Sequence, residues 1–375
     1  MKICHIIGTR PQFIKYFALS NVIKTREQGR ISEVLINTGQ HYDYNMSDLF
    51  FEEFEIATPD YHLGVGSNHH GRQTADIIVR VEKVLLDEKP DVVLVYGDTN
   101  STLGGAIASA KLNIAVAHIE AGLRSFNRSM PEEINRVVTD HVSKILFCPG
   151  RASVENLLKE GFKAVFDEGR LISVEDLTRS LKDLDTGGDS PIVINTGDVM
   201  YDLFMHFRER KSDIVESLCL KEKEYAVLTI HRAENIHSSQ RMNRIVDFVN
   251  RMSERFEIIF PIHPRAREIF IGKNRRLSKR IRIVEPLSYF DFQTLLSRAV
   301  MVLTDSGGVQ KEAFWLRVPC VTIREETEWI ETVESGWNVL YRDYSGEHKP
   351  EDTDFSVYGD GSAAERIAAV LEFLF

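Results

Sequence analysis

Three carboxylates stand where short apolar runs end: Asp98 in Gly97-Asp98-Thr99-Asn100-Ser101-Thr102, Glu120 in His118-Ile119-Glu120-Ala121-Gly122-Leu123-Arg124, and Glu132 in Met130-Pro131-Glu132-Glu133-Ile134-Asn135-Arg136. Acids converging from strand ends suit general acid and base work. Two of them have plainer explanations. Asp98 or Thr99 suits the cap of the helix that follows, and acids at Glu132 and Glu133 suit the positive end of a helix dipole. Glu120 lies at the end of an apolar strand, where proton transfer is a better use of a carboxylate than packing.

Anion-binding residues fall in the same kind of place. Gly8-Thr9-Arg10-Pro11-Gln12-Phe13-Ile14-Lys15 puts a glycine turn and two cations, Arg10 and Lys15, between a strand and a helix. That suits an anionic ligand, and equally a tight turn with solvated charges. Further along, Thr229-Ile230-His231-Arg232-Ala233-Glu234-Asn235 and Pro261-Ile262-His263-Pro264-Arg265 close two more apolar runs with histidine and arginine. Thr304-Asp305-Ser306-Gly307-Gly308-Val309-Gln310-Lys311-Glu312 leads small residues into a helix, where free N–H groups at Ser306, Gly307 and Gly308 would cradle a diphosphate. Its spacing is neither GxGxxG nor GxxxxGK[ST], so a dinucleotide fingerprint and a P-loop are both unsupported. Glu312, one turn in, is placed either to accept ribose hydroxyls or to sit in solvent as an ordinary helix acid.

The elements that carry these residues alternate between Val- and Ile-rich runs and helical periodicity, the pattern of parallel sheets covered by helices. The first series predicts strands at 3–7, 33–36, 91–96, 115–119 and 145–148, with helices near 11–24, 72–86, 101–110 and 131–142. The second predicts strands at 226–230, 258–261, 281–284, 302–304 and 320–323. Between them a polar, Gly-containing stretch reads as an excursion holding one exposed helix. The expected organisation is an N-terminal Rossmann-like domain with the proton-transfer acids (1–165), an excursion or linker (166–195), a C-terminal nucleotide-binding domain (196–357), and a terminal helix (358–375) packing back on the first domain. Ligands of such sheets bind outside the carboxyl ends of strands, so a cleft between the domains is the expected site.

A chain of 375 residues is two domains' worth. With 43% hydrophobic and 27% charged residues, disorder and a disulfide scaffold are both excluded. The net charge of −10 disfavours nucleic-acid and membrane-surface partners. Cys4, Cys148, Cys219 and Cys320 have no CxxC spacing, which fits reduced thiols in a cytoplasmic protein and no metal site. No apolar run has the length of a membrane span, and the N-terminal residues read directly into a first strand.

Taken in order, GTRPQFIK (8–15), TGQHYD (38–43), YGDTNST (96–102), HIEAGLRS (118–125), MPEEINR (130–136), TGDVMYD (196–202), HRAEN (231–235), TDSGGVQKEA (304–313) and YGDGSAAERI (358–367) resemble the non-hydrolysing UDP-N-acetylglucosamine 2-epimerases. The resemblance implies an α/β fold of two facing Rossmann-like domains in the GT-B architecture, a UDP-sugar substrate, no cofactor and a homodimer. It implies inversion at C2 by elimination of UDP to a 2-acetamidoglucal and its re-addition. Asp98, Glu120 and Glu132 match the proton-transfer acids and Lys15 their support; Arg10 and His231 match phosphate-stabilising positions, Ser306-Gly307-Gly308 the diphosphate site, and Glu312 the ribose acid.

Two departures bear on substrate and regulation. Where many members read TERPE, this chain has Arg324-Glu325-Glu326-Thr327-Glu328-Trp329, which resembles the branch acting on UDP-2,3-diacetamido-2,3-dideoxyglucuronate. Gln40, His41, Arg72 and Gln73 match part of an activator site known in some bacterial members, but Tyr42 and Asp43 replace its usual residues. A hydrolysing 2-epimerase and a GT-B glycosyltransferase are the alternatives from the same architecture.

Overall fold

A computed structural model describes residues 1–27, 31–40, 58–181, 190–232, 235, 238–262, 270, 277–347, 350 and 353–375. The chain divides into two compact units: residues 1–207 with 356–375, and residues 208–355.

In the first unit, strands β1 (Lys2–Ile7), β2 (Ser32–Asn37), β3 (Tyr61–His62), β4 (Val92–Tyr96), β5 (Ala115–Ile119), β6 (Ile145–Cys148), β7 (Ala164–Val165) and β8 (Ile192–Asn195) form a sheet in the order β3-β2-β1-β4-β5-β6-β8-β7. The strand pairs are parallel. A strand such as Val-Val-Leu-Val-Tyr in β4 is buried throughout because helices cover both faces of the sheet. Those helices are α1 (Arg10–Glu27), α2 (His70–Glu88), α3 (Asn100–Lys111), α4 (Pro131–Val142), α5 (Arg151–Lys159), α6 (Val174–Leu181) and α7 (Val199–Phe207). Helix α3 lies close in: a Cβ on Gly104 would come within 2.5 Å of Ile77 Cγ2, and one on Gly105 within 2.8 Å of Ile6 Cδ1. That close approach fixes where the α3 N-terminus, and so the loop before it, can stand.

The second unit carries the short helix α8 (Ile214–Ser217) and strands β9 (Tyr225–Thr229), β10 (Glu257–Pro261), β11 (Ile281–Val284), β12 (Met301–Thr304), β13 (Cys320–Thr322) and β14 (Asn338–Leu340). Their order, β11-β10-β9-β12-β13-β14, is the Rossmann order. Helices α9 (Ser239–Ser253), α10 (Tyr289–Ser297), α11 (Gly307–Trp315) and α12 (Ile330–Glu334) connect the strands. Separate apolar clusters form around Phe248 and Phe260 and around Leu295 and Val302.

The division falls later than the sequence predicted. The stretch expected as an excursion contains β8, which pairs in register with β6 from Ile145↔Ile192 to Cys148↔Asn195. Four buried residues, Ile192-Val193-Ile194-Asn195, suffice to add a strand to an existing sheet. The helix expected there is α6, and its Leu177 is fully buried, so it is not simply an exposed helix; residues 182–189 lie outside the described set. Helix α7, expected in the second domain, likewise belongs to the first unit. After residue 355 the chain rejoins the first unit, where α13 (Ala363–Leu374) packs against α1, α6 and α7. Strands β3, β7 and β14, with two or three residues each, also fall outside the predicted set.

Among the described residues no helix is long and apolar enough to cross a membrane, and no cluster of potential metal ligands forms. All four cysteines are free thiols, and only Cys219 is exposed.

Candidate active site

In each sheet the strand order reverses beside the first strand, between β1 and β4 in one and between β9 and β12 in the other. Helices leave in opposite directions at such a point, opening a crevice at the carboxyl ends of the strands. Arg10 and Lys15 follow β1, Asp98 follows β4, His231 follows β9 and Ser306 follows β12. Glu120 follows β5, the neighbour of β4.

The first crevice is built on Gln12. Its Oε1 accepts from Gly8 N at 2.8 Å and Thr9 N at 3.1 Å, while its Nε2 donates to Tyr96 O at 2.7 Å and to Thr99 Oγ1 and Thr102 Oγ1, both at 2.9 Å. One buried amide thus joins the β1 and β4 loops. Thr99, not Asp98, caps α3, in a reciprocal capping box with Thr102. Asp98 is left with another partner: Arg136 Nη2 meets its Oδ2 at 2.9 Å, and Arg136 Nη1 meets Glu133 Oε2 at 3.3 Å.

Glu120 and Lys15 form an ion pair, Nζ to Oε2, at 2.6 Å. Gly97 runs past both. A Cβ there would lie 3.3 Å from Lys15 Nζ and 3.4 Å from Glu120 Oε1, and φ is +62°. Glu120 itself is left-handed, with φ of +72°, a conformation that costs a non-glycine residue roughly 1–3 kcal/mol.

Of the two acids opening α4, Glu133 does structural work. It is buried and accepts from Ser125 N, Ser125 Oγ and Phe126 N at 2.9–3.0 Å. Glu132 is half-buried at the neighbouring position and Arg10 half-buried at the start of α1. The helix dipole is therefore not the main account of Glu133, whereas Glu132, also in the first turn of α4, keeps that explanation.

In the second unit Asp305 is fully buried and binds the loop after β9. His231 N and Arg232 N donate to its carboxylate at 3.0–3.2 Å, Asn235 Nδ2 at 2.9 Å, and His231 Nδ1 lies 3.3 Å from Oδ1. The His231 side chain remains 63% exposed, held at its base and open at its tip. Ser306, Gly307 and Gly308 open α11 as expected, with Ser306 at the N-cap making no side-chain cap bond. A Cβ on Gly307 would come within 2.8 Å of Trp329 Nε1 and 2.9 Å of Glu328 Oε1, so glycine is required for clearance. Glu312 is buried on α11, not solvated. Arg324 pairs with Glu328 at 2.8 Å and Arg232 approaches the same acid at 3.5 Å.

The residues matched to an activator site have structural partners here. Gln40 Oε1 accepts from Ser101 N and Oγ at 2.9 and 2.7 Å, Gln73 Oε1 accepts from Asn100 Nδ2 at 2.7 Å, and Arg72 pairs with Asp76 one turn along the same helix. His41, Tyr42, Asp43, Ala233, Glu234, His263 and Arg265 lie outside the described residues.

The family model described as UDP-N-acetylglucosamine 2-epimerase matches residues 23–372. The chain belongs to that family. Its members are isomerases, and this chain is one. It is 42% identical to the UDP-2,3-diacetamido-2,3-dideoxy-D-glucuronate 2-epimerase of Pseudomonas aeruginosa, with 99% of each chain covered. Identity to the UDP-N-acetylglucosamine 2-epimerase of Methanocaldococcus jannaschii is 40%, over 100% of this chain and 99% of that one. The crystal structure of the M. jannaschii enzyme in complex with UDP-GlcNAc and UDP aligns over the whole of both chains with a TM-score of 0.81 and 38% identity. The two parallel α/β units are thus the Rossmann-like pair from which the GT-B fold of this epimerase family is built.

Sequence reasoning passed over four residues that organise the site: Arg136, His118, Asp140 and Asp305. All lie inside the quoted motifs or, for Asp140, one turn beyond. His118 alone shows a signal, a titratable residue between Ala117 and Ile119 in an apolar strand; Arg136, Asp140 and Asp305 stand beside polar neighbours, and their roles are visible only once burial is known.

Proposed function

We propose that the chain inverts C2 of a UDP-linked N-acetylhexosamine, interconverting UDP-N-acetylglucosamine and UDP-N-acetylmannosamine. The observation that carries this is the Lys15–Glu120 pair beside the Gly97–Asp98 turn, in a chain whose relatives named above act on UDP-sugars. In the elimination the C1–O bond breaks and UDP leaves with its electron pair. The C2–H bond breaks, its proton passing to a carboxylate, and a C1–C2 double bond forms. Re-addition reverses each step, with the proton delivered to the opposite face of C2.

Because a C2 hydrogen is weakly acidic, C1–O cleavage runs ahead, and stabilising the departing diphosphate is the largest electrostatic task. Arg10 and His231 take that role, with the N–H groups opening α11 at Ser306, Gly307 and Gly308. Glu312 accepts from the ribose. Asp98, Glu120 and Glu132 handle the proton, and Lys15 holds Glu120 in place through their ion pair. Arg136 orients Asp98 through their 2.9 Å ion pair. The working form in this reading is a cytoplasmic homodimer supplying surface-polysaccharide precursors, without a cofactor.

The same chemistry on UDP-2,3-diacetamido-2,3-dideoxyglucuronate is the second reading, favoured by the P. aeruginosa relative and by Thr327-Glu328-Trp329. Proton NMR with each sugar in deuterium oxide separates them. The true substrate loses its C2 proton signal while a UDP-linked epimer appears. Release of free sugar and UDP would indicate a hydrolysing enzyme, and absence of deuterium at C2 in both sugars would overturn the proposal.

A further inference from the structure

Behind Glu120 lies a buried charged chain that the reaction does not use directly. His118 and Asp140 are both fully buried, and His118 Nδ1 meets Asp140 Oδ1 at 2.7 Å. Asp140 Oδ2 accepts from Gly122 N at 3.1 Å and meets Arg124 Nη1 at 2.7 Å. Arg124 in turn makes a two-point contact with Glu160, at 2.6 and 2.8 Å. On its far side His118 Nε2 lies 2.7 Å from Gly97 O. A carbonyl oxygen only accepts, so Nε2 carries the proton there.

These contacts have one geometric consequence. Asp140 grips the chain two residues before Glu120, at His118, and two residues after it, at Gly122, which brackets the left-handed turn on which Glu120 sits. Through His118 it also fixes the carbonyl of Gly97, the residue joined to Asp98. Both candidate proton-transfer acids are therefore referred to one buried carboxylate on α4.

We propose that Asp140 is a positioning residue: through His118 and Gly122 it sets the separation of Asp98 and Glu120 and holds Glu120 in its strained backbone conformation. This rests on the epimerase reading for its kinetic consequence, but the geometric claim stands apart from it. A purely structural role for Asp140 would require only that its buried carboxylate be satisfied by some set of donors, of which Arg124, shared with Glu160, is one. The further bonds to His118 and Gly122, on either side of Glu120, are what a positioning role requires.

The test uses the full chain carrying Asp140→Asn, with His118→Asn as a second variant. An asparagine at 118 retains a donor toward Asp140 but cannot reach Gly97 O, so it frees the Gly97 carbonyl next to Asp98 while leaving Asp140 paired. Both variants are expected to lower kcat about 10- to 100-fold with KM for the UDP-sugar changed less than about threefold, since displacing a reacting group by an ångström costs on that order. Leu85→Ala, in the apolar cluster around α2 and far along that helix from the site, serves as a comparably destabilised control with kcat retained. Crystal structures of the variants provide the second readout: residue 120 leaves the left-handed region in Asp140→Asn, and the Gly97–His118 contact is lost in His118→Asn. Either folded variant with wild-type kcat, or a loss matched by Leu85→Ala, overturns the proposal. So does an Asp140→Asn structure in which residues 97–98 and 120 have not moved. If the wild-type chain leaves C2 unlabelled in both sugars, the epimerase reading falls, and the variant structures still decide the positioning role.

Discussion

At Gly97 the φ of +62° and the contacts waiting for a side chain act together. Gly97→Ala must hold a β-carbon 3.3 Å from Lys15 Nζ in a backbone region that alanine resists. We expect a stability loss of about 1 kcal/mol and a fall in turnover of at least about tenfold as the Lys15–Glu120 pair is displaced; thermal melts and steady-state rates measure the two parts separately. Gly307→Ala acts on the other unit. A β-carbon 2.8 Å from the Trp329 indole nitrogen forces the α11 N-terminus aside, and the expected result is at least about tenfold weaker UDP binding by calorimetry, roughly 1.4 kcal/mol. Unchanged affinity would remove this turn from the diphosphate site. Gln12→Ala removes the acceptor that Gly8 N and Thr9 N share, while Tyr96 O keeps Thr102 Oγ1, and the lost partners of these buried donors make a loss of about 2–3 kcal/mol the expected outcome in denaturant titration. The types and order of Arg10, Lys15, Asp98, Glu120 and His231 were readable from motifs. The clamps behind them were not, because Gln12, Arg136 and Asp305 reach partners 90, 38 and 74 residues away, and nothing in their local sequence marks a buried polar group.

Among the elements, α13 is held in place by a carboxylate. Asp202 on α7 accepts from Ala364 N at 2.7 Å, at the first turn of α13. Burial pushes this carboxyl up to about 7, against the backbone N–H donors of Ala364 and Ala363, which favour its ionised form. The folded state therefore holds the proton more tightly than the unfolded chain. The contribution to stability is fully present below the ordinary aspartate range and is lost as pH rises through about 7. Asp202→Asn cannot ionise but still accepts from Ala364 N. The variant should be more stable than wild type at pH 8.5 in denaturant titration, by a few kcal/mol at most, with the difference closing toward pH 4; a gap that is constant with pH would contradict this. The longer strands and helices were legible from apolar runs and periodicity. Strand β8 was misassigned because Ile192-Val193-Ile194 follows a polar stretch, and only its pairing with β6 shows which sheet it joins.

For the whole molecule, the charge is unevenly divided. Residues 208–355 hold 24 basic and 24 acidic side chains, leaving 22 basic and 32 acidic in the first unit, which thus carries the entire −10. The nominally acidic protein has one neutral unit, and that unit bears His231 and the α11 N-terminus. It is also the only one of the two formed by a continuous stretch, with a complete six-stranded sheet and its own apolar clusters. Residues 208–355 expressed alone should unfold cooperatively and show a thermal shift with UDP. A non-cooperative melt would mean that this unit depends on the other for its stability. Residue order alone determined the family and the α/β class, because these depend on motif spacing and apolar periodicity. The tertiary structure decided that Thr99 and not Asp98 caps α3, that Glu133 is structural, where the chain passes between units, and that Asp140 lies behind both acids. Those outcomes depend on burial and on contacts between residues distant in sequence.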